Sequence, residues 1–379
     1  MTAPTSNARL VGSAKEIGAV AWNALANPEG IAQPHPFTTY EFFAALEESH
    51  SASPEAGWQP CHLLTADGLM PLYLKSHSQG EYVFDHAWAD ALERAGGDYY
   101  PKLQASVPFT PVTGPRLLAK TPEAQRALLD YAAGAVQQFS ASSLHLTFLT
   151  QAEWRLAGDA GYLQRTGQQF HWENHGYRSF DAFLGELASA KRKNLRKERQ
   201  SVRDAGITFD WLTSDDITEA HWDQFFDFYM DTGGRKWGTP YLTRDFFSRL
   251  GDGLGQQTLL IMAKQNGQTI AGALNVFGDG VLFGRNWGCN TYVPFLHFET
   301  CYYQAIDFAI AHDLKRVEAG AQGEHKLLRG YLPVPTYSAH RIAHPGLRRA
   351  VDDYLAQERA AVAENIAELA KASPFRRGD

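Results

Sequence analysis

Three β-rich runs, 258–264, 269–277 and 281–287, are separated by Asn266-Gly267 and by Gly278-Asp279-Gly280. Both separators supply the residues that tight hairpin turns demand, so the stretch reads as an antiparallel meander. A helical pattern over 295–312 and a strand-like stretch over 316–319 come next. Three antiparallel strands, a crossing helix and further strands give an α/β order and exclude a helix bundle or a β-sandwich.

The chain has 379 residues, too many for one ordinary core, and two domains of roughly 150–200 residues are expected. In the first half, helices are read at 13–25, 38–49 and 122–139, and a hairpin at 61–64 and 69–75 about Ala66-Asp67-Gly68. Strands are read at 81–84, 144–149 and 168–173, and the Pro- and aromatic-rich 99–116 reads as an ordered connection over a cleft. The second half opens with one long helix over 180–204, then a strand at 208–212 and helices at 221–230 and 243–250. A short helix near Lys326 and a strand at 336–341 follow the crossing helix. Both halves run helices, a hairpin, a long helix and strands, which suggests a duplicated fold. The expected divisions are 1–175, 176–345 and 346–379, the last an amphipathic helix over 347–372 with a fraying tail.

A net charge of −7 argues against a general nucleic-acid coat. Cys61, Cys289 and Cys301 form neither a disulfide framework nor a zinc set, and fit a reducing compartment. The N-terminus lacks the apolar core of a secretion signal, and no run approaches the roughly 18–20 apolar residues of a membrane span. A cytoplasmic protein is expected.

Reactive groups concentrate at three places. Between Lys191 and Arg203 one probable helix carries seven cations, of which Arg192, Arg196, Arg199 and Arg203 share a face. Such a row can grip phosphates, or it can be a solvated face answered by acids elsewhere. At the crossing helix, Pro294 suits a first helical position, with free amides behind it. His297 and Glu299 stand two residues apart and point to nearly opposite sides. On the preceding strand, Arg285, Trp287 and Cys289 alternate onto one face. Arg285 there is either a partner for Glu318 or a ligand contact, and Cys289 has no paired base.

The densest cluster runs from Glu318 to Arg329. Glu318 ends a strand, where open α/β sheets place functional groups, and Gly320 and Gly323 permit tight backbone. His325 has the side chain suited to taking a proton near neutrality, and Lys326 and Arg329 can hold a phosphate or an oxyanion. The bland alternative is a hydrogen-bonded loop. A metal site from His297, Glu299, Glu324 and His325 lacks any recognised ligand spacing.

The segments Lys191–Arg199, Gly284–Cys289, Phe295–Glu299 and Gly320–Lys326, together with His35-Pro36-Phe37 and Tyr241-Leu242-Thr243, resemble motifs of the FemAB-like N-acyltransferases, a peptidoglycan-related family. The resemblance covers most of the chain. It implies two tandem GNAT-like (acyl-CoA N-acyltransferase) domains, α/β (α+β) in class, with mixed, mostly antiparallel sheets flanked by helices. The first would be degenerate and the second would carry the motifs. It implies transfer of an acyl or aminoacyl group to an amine acceptor, with acyl-CoA or aminoacyl-tRNA as co-substrate and no tightly bound cofactor or metal. Backbone amides of strand 269–277 would hold the oxyanion. His325, Glu318 and Glu324 are the catalytic candidates. Arg285, Trp287, His297, Glu299, Lys326, Arg329, Arg192 and Arg196 are the binding candidates, with Arg235 and Lys236 bordering the acceptor cleft. One departure limits the donor: Gly288 to Pro294 lacks the Arg/Gln-x-x-Gly-x-Gly/Ala cradle for a pyrophosphate. Two other readings stand beside it: a non-catalytic binder of tRNA or a cell-wall precursor, and a metal-dependent hydrolase using His297, Glu299 and His325.

Overall fold

Asn266 and Gly267 adopt φ of 50° and 77°, and Asp279 and Gly280 adopt 49° and 74°, the positive angles of two-residue type I′ turns. They do so in a computed structural model that describes residues 8–236, 240–320 and 323–376. The meander is thereby fixed by local chemistry, and the rest of each unit is built on such strands. Contacts divide the chain into one unit of residues 1–167 and 335–364 and another of residues 168–334 and 365–379.

The first unit holds β1 (Arg9–Val11), β2 (Trp58–Pro60), β3 (His62–Leu64), β4 (Gly68–Met70), β5 (Tyr73–Lys75), β6 (Lys102–Ala105), β7 (Leu118–Ala119) and β8 (Ser143–Leu149). The expected strand over 69–75 is two strands, because Pro71 has no N–H to give a ladder. Gly68–Met70 pairs with β3 and β7, and Tyr73–Lys75 with β2 and β6. Residues 81–84 form no strand. Glu81 is instead buried against Lys102, whose Nζ donates to Glu81 Oε2 and Ser78 Oγ at 2.7 Å each and also pairs with Asp85. The connection expected at 99–116 contains β6.

The second unit holds β9 (Leu163–Glu173, from residue 168), β10 (Ile207–Thr213), β11 (Thr258–Gln265), β12 (Gln268–Gly278), β13 (Val281–Cys289) and β14 (Arg316–Glu318); β15 (Leu332–Ile342) follows and belongs to the first unit from residue 335. Its sheet runs β10-β11-β12-β13-β14-β9. The same motif recurs in both units. In the second, β13 is parallel to β14, which is antiparallel to β9, aligning Phe283, Glu318 and His171. In the first, β6 is parallel to β8, which is antiparallel to β15, aligning Gln104, His145 and His340. A parallel neighbour needs a crossover. Helix Pro122–Gln138 supplies it in the first unit, and in the second a helix running Leu296–Phe298, a π turn Glu299–Tyr303 and Gln304–Ala311. Each crossover helix buries its apolar side on the sheet: Leu128 and Leu129 with Leu103 and Leu144, and Tyr303 and Phe308 with Leu282, Val317 and Trp172.

The helix expected over 180–204 is broken into Phe180–Glu186 and Ser189–Asp204. Between them Leu187 is extended, fully buried and bridged to Phe375, and the Ala188 N–H donates to Pro374 O at 2.9 Å. The expectation of a fraying tail is corrected by the same contacts, since Phe375 packs against Phe183 in the core. Residues 377–379 lie outside the described part.

Candidate functional site

Asn275 pairs with Gly284 and Leu274 with Asn286, so Arg285 is an extra residue on β13. This bulge bends the strand. It also removes Arg285 from the simple alternation expected with Trp287 and Cys289. Pairing of β13 with β14 stops at Phe283 opposite Glu318. Beyond that point lies a cavity of about 90 Å³ lined by Ala273, Leu274, Asn275, Gly284, Arg285, Asn286, Trp287, His297, Cys301, Tyr302 and Ala319.

The helical wall of the cavity depends on the π turn. Residues five apart on an α-helix point about 140° from each other, but in an i to i+5 turn they come onto one side. The rings of His297 and Tyr302 accordingly meet edge to face at 5.4 Å, and Trp287 meets His297 from the sheet at 5.3 Å. Tyr302 is a candidate site residue that sequence reasoning missed.

Tyr302 reaches beyond the cavity. Its hydroxyl shares a 2.9 Å hydrogen bond with Nε2 of His325, on the 3-10 turn Glu324–Arg329. Partial burial, then the charges of Arg329 and Lys326, hold the His325 imidazole below its ordinary pKa. The ring is therefore neutral at neutral pH, and in the tautomer that carries its proton on Nδ1 the tyrosine hydroxyl is the donor to Nε2. Lys326 is buried, donates from Nζ to Gly320 O at 2.8 Å, and is brought down to about 8 by that burial. Arg329 is buried, with its guanidinium 3.5 Å over the Phe298 ring.

Glu318 is also buried, and burial raises its carboxyl to about 7 although Arg316 stands 3.7 Å away. It faces His171 across the β14–β9 ladder at 3.7 Å, and it does not line the cavity. His171, which the sequence did not single out, is brought down to about 3 by burial and then by Arg316 and Lys326.

Glu299 turns away from His297, as their spacing requires, and is buried against the basic helix. Arg199 donates to Glu299 at 2.8 Å and to Asp307 at 2.6 Å, and Gln304 donates to Glu299 at 2.8 Å. Arg196 pairs with Asp181 at 3.0 Å on the surface. Much of the basic row is thus answered by acids of the same unit. Arg196, Lys197, Arg199 and Arg203 still border a groove of about 510 Å³ together with Phe180 and Asp181. Arg192 is half-buried on the same helix. The side chains of Arg235, Lys236 and Glu324 lie outside the described part. Among the described residues no group of three His, Cys, Asp or Glu is placed to hold a metal ion, and no helix is long and apolar enough to cross a membrane.

Residues 13–377 match the model of a family described as FemAB-like, peptidoglycan biosynthesis/recognition. No curated protein matches the sequence. The fold is similar to that of a protein titled FemX, at a TM-score of 0.56 and 11% identity over 89% of this chain and 98% of the other. It is also similar to L-PGS from Bacillus licheniformis, at a TM-score of 0.53 and 12% identity over 86% of this chain and 99% of the other. The architecture is α/β with mostly antiparallel sheets, and its parallel-antiparallel strand motif recurs in both units.

Proposed function

The chain belongs to the FemAB-like family, and from that premise we propose that it transfers an acyl or aminoacyl group from a thioester or aminoacyl-tRNA donor to an amine. The observation that carries the reading is the cavity at the β13 bulge, joined through Tyr302 to His325. The reacting carbonyl would sit beside Arg285 and Trp287, and the acceptor amine would attack its carbon to form the N–C bond. A cation at the cavity, Arg285, supports the developing oxyanion. As the tetrahedral adduct collapses, the C–S or C–O bond to the donor breaks. The proton leaving nitrogen passes to the Tyr302 hydroxyl while that hydroxyl gives its own to His325 Nε2. It returns to the departing thiolate or alkoxide.

Trp287 and His297 would enclose the acyl end. Lys326 and Arg329 shape the turn that bears His325, and Glu299 anchors the helix that bears His297. Arg196, on the basic groove, and Arg192, on the same helix, would hold donor phosphates, and Arg235 and Lys236 would border the acceptor. Glu318 and Glu324 are the alternative proton acceptors. Acyl-CoA and aminoacyl-tRNA enter this scheme as co-substrates in the cytoplasm, and the first domain shapes the protein without catalysing. The basic groove favours a second reading, binding of tRNA or a cell-wall precursor without transfer. Incubation of purified protein with acyl-CoAs or charged tRNA and a panel of amines, read by mass spectrometry of the products, separates the two. Transfer supports the first, and salt-sensitive tRNA binding without any product supports the second.

A further inference from the structure

Glu198 is an acid set among the cations of helix Ser189–Asp204, and it does not face solvent with them. Both of its carboxylate oxygens accept from Arg329 Nη2, at 2.8 and 2.9 Å, and the Tyr303 hydroxyl donates to it as well. Its neighbour Arg199 is tied to Glu299 and Asp307. One turn of this helix therefore grips the crossover helix through a cation and the His325 turn through an anion.

Arg329 passes the constraint on. Its Nη1 donates to the backbone carbonyl of His325 at 2.7 Å, fixing the main chain that bears the imidazole. Its guanidinium also lies on Phe298, whose ring packs 5.5 Å from the His325 ring and 6.0 Å from Tyr302. A buried guanidinium held by a carboxylate is rigid, and loss of that carboxylate leaves a desolvated charge that must move or rehydrate.

We propose that Glu198 is a positioning residue: through Arg329 it sets the His325 imidazole against the Tyr302 hydroxyl. Among the described side chains, the charged and titratable groups around that ring are Arg329 and Lys326 on its own turn, His297 and Tyr302 on the crossover helix, and Glu198 behind Arg329. The proposal rests on the transferase reading only for the use made of the ring; the geometry of the ring is tested without it.

The test is the ¹⁵N spectrum of histidine-labelled full-length protein, with the His325 signals assigned by their absence in His325→Gln. In Glu198→Gln the His325 ring nitrogens are expected to shift and to lose the hydrogen-bond signature with Tyr302. Arg329→Lys, which keeps the charge but removes the fork, is expected to do the same. Where Glu198→Gln does not fold, Glu198→Asp and Arg329→Lys carry the measurement. Unchanged His325 signals in the folded variants overturn the proposal, whether or not any transfer is detected. In a transfer assay Glu198→Gln is expected to lower kcat by about tenfold or more at similar KM. A change in KM alone counts against positioning. Failure to find transfer in the unmodified protein bears on the proposed function and leaves the spectroscopic result standing.

Discussion

The Tyr302 hydroxyl and Nε2 of His325 are joined by a 2.9 Å hydrogen bond, and of the two Tyr302 lines the cavity. A proton leaving the cavity can thus reach the imidazole without open water. Tyr302→Phe keeps the ring that packs on His297 and removes the link. It is expected to lower the transfer rate by about 10²-fold, as is His325→Ala. The double variant should be little worse than either single one, because both remove one relay. Additive losses in single-turnover rates would contradict a shared path.

The pH dependence follows from the sign of the shift at His325. Its folded pKa lies below 6.5, and the neutral ring is the form that accepts a proton. Transfer should therefore rise with pH along a limb whose midpoint is below 6.5, and stay level through neutrality. A profile of kcat that keeps rising well above pH 7 would assign the essential ionisation to another group.

Glu318 and His171 oppose each other in their effect on stability. The carboxyl of Glu318 is raised to about 7, so between its ordinary 4.5 and 7 the unfolded chain releases its proton first and the native state loses stability as pH rises. His171 is lowered to about 3, so the native state loses stability as pH falls below about 6.5. Glu318→Gln removes the first effect. Its stability relative to the parent protein should be greater at pH 8 than at pH 4.5, by up to about 3 kcal/mol. Urea denaturation at the two pH values checks this, and an equal change at both would show that the carboxyl is not raised.

Trp287 limits what the cavity can hold. Its volume of about 90 Å³ is below the roughly 150 Å³ of an apolar cavity that admits benzene, so short acyl groups are expected. Trp287→Ala should raise kcat/KM for longer acyl chains relative to short ones by about tenfold or more. Competition between two donors in one reaction, read as the product ratio, measures it directly.

Lys102 in the first unit balances two buried acids, Glu81 and Asp85. Lys102→Met leaves both in a dry interior. A loss of about 3–5 kcal/mol in unfolding free energy is expected, and a near-neutral change would mean that the pair contributes little beyond its volume.

How far the sequence disclosed this molecule depends on whether the deciding interaction was local. The meander was legible because Asn266-Gly267 and Asp279-Gly280 carry their own turn geometry. The shared element order of the two halves correctly suggested a duplication, since each half writes out strand, long helix and strand in its own residues. The bulge at Arg285 was hidden, because it exists only in the register between β12 and β13. The break at Leu187-Ala188 was hidden for a similar reason: both residues suit a helix, and Phe375, far along the chain, decides otherwise. At the site, the residues of the His325 turn stood out by their density. Tyr302 did not, because only a π turn brings it beside His297. The basic row was read as a set of cations; of the acids that answer it, Glu299 and Asp307 lie far along the chain, and Asp181 reaches Arg196 because the helix expected over 180–204 is broken at Leu187-Ala188.

The bridge between Leu187 and Phe375 bears on the order in which a ribosome could complete the protein. Residues 335–364 belong to the first unit, and the second unit takes up the chain again only from residue 365. The cations, the crossover helix and the His325 turn all emerge before the residues that seat Leu187. Until Pro374 and Phe375 are made, the junction between the two helices has neither its backbone partner nor its aromatic cover. The candidate site is thus written mid-chain, and a nascent chain arrested before this point would carry its basic helix without the bridge that seats the start of that helix.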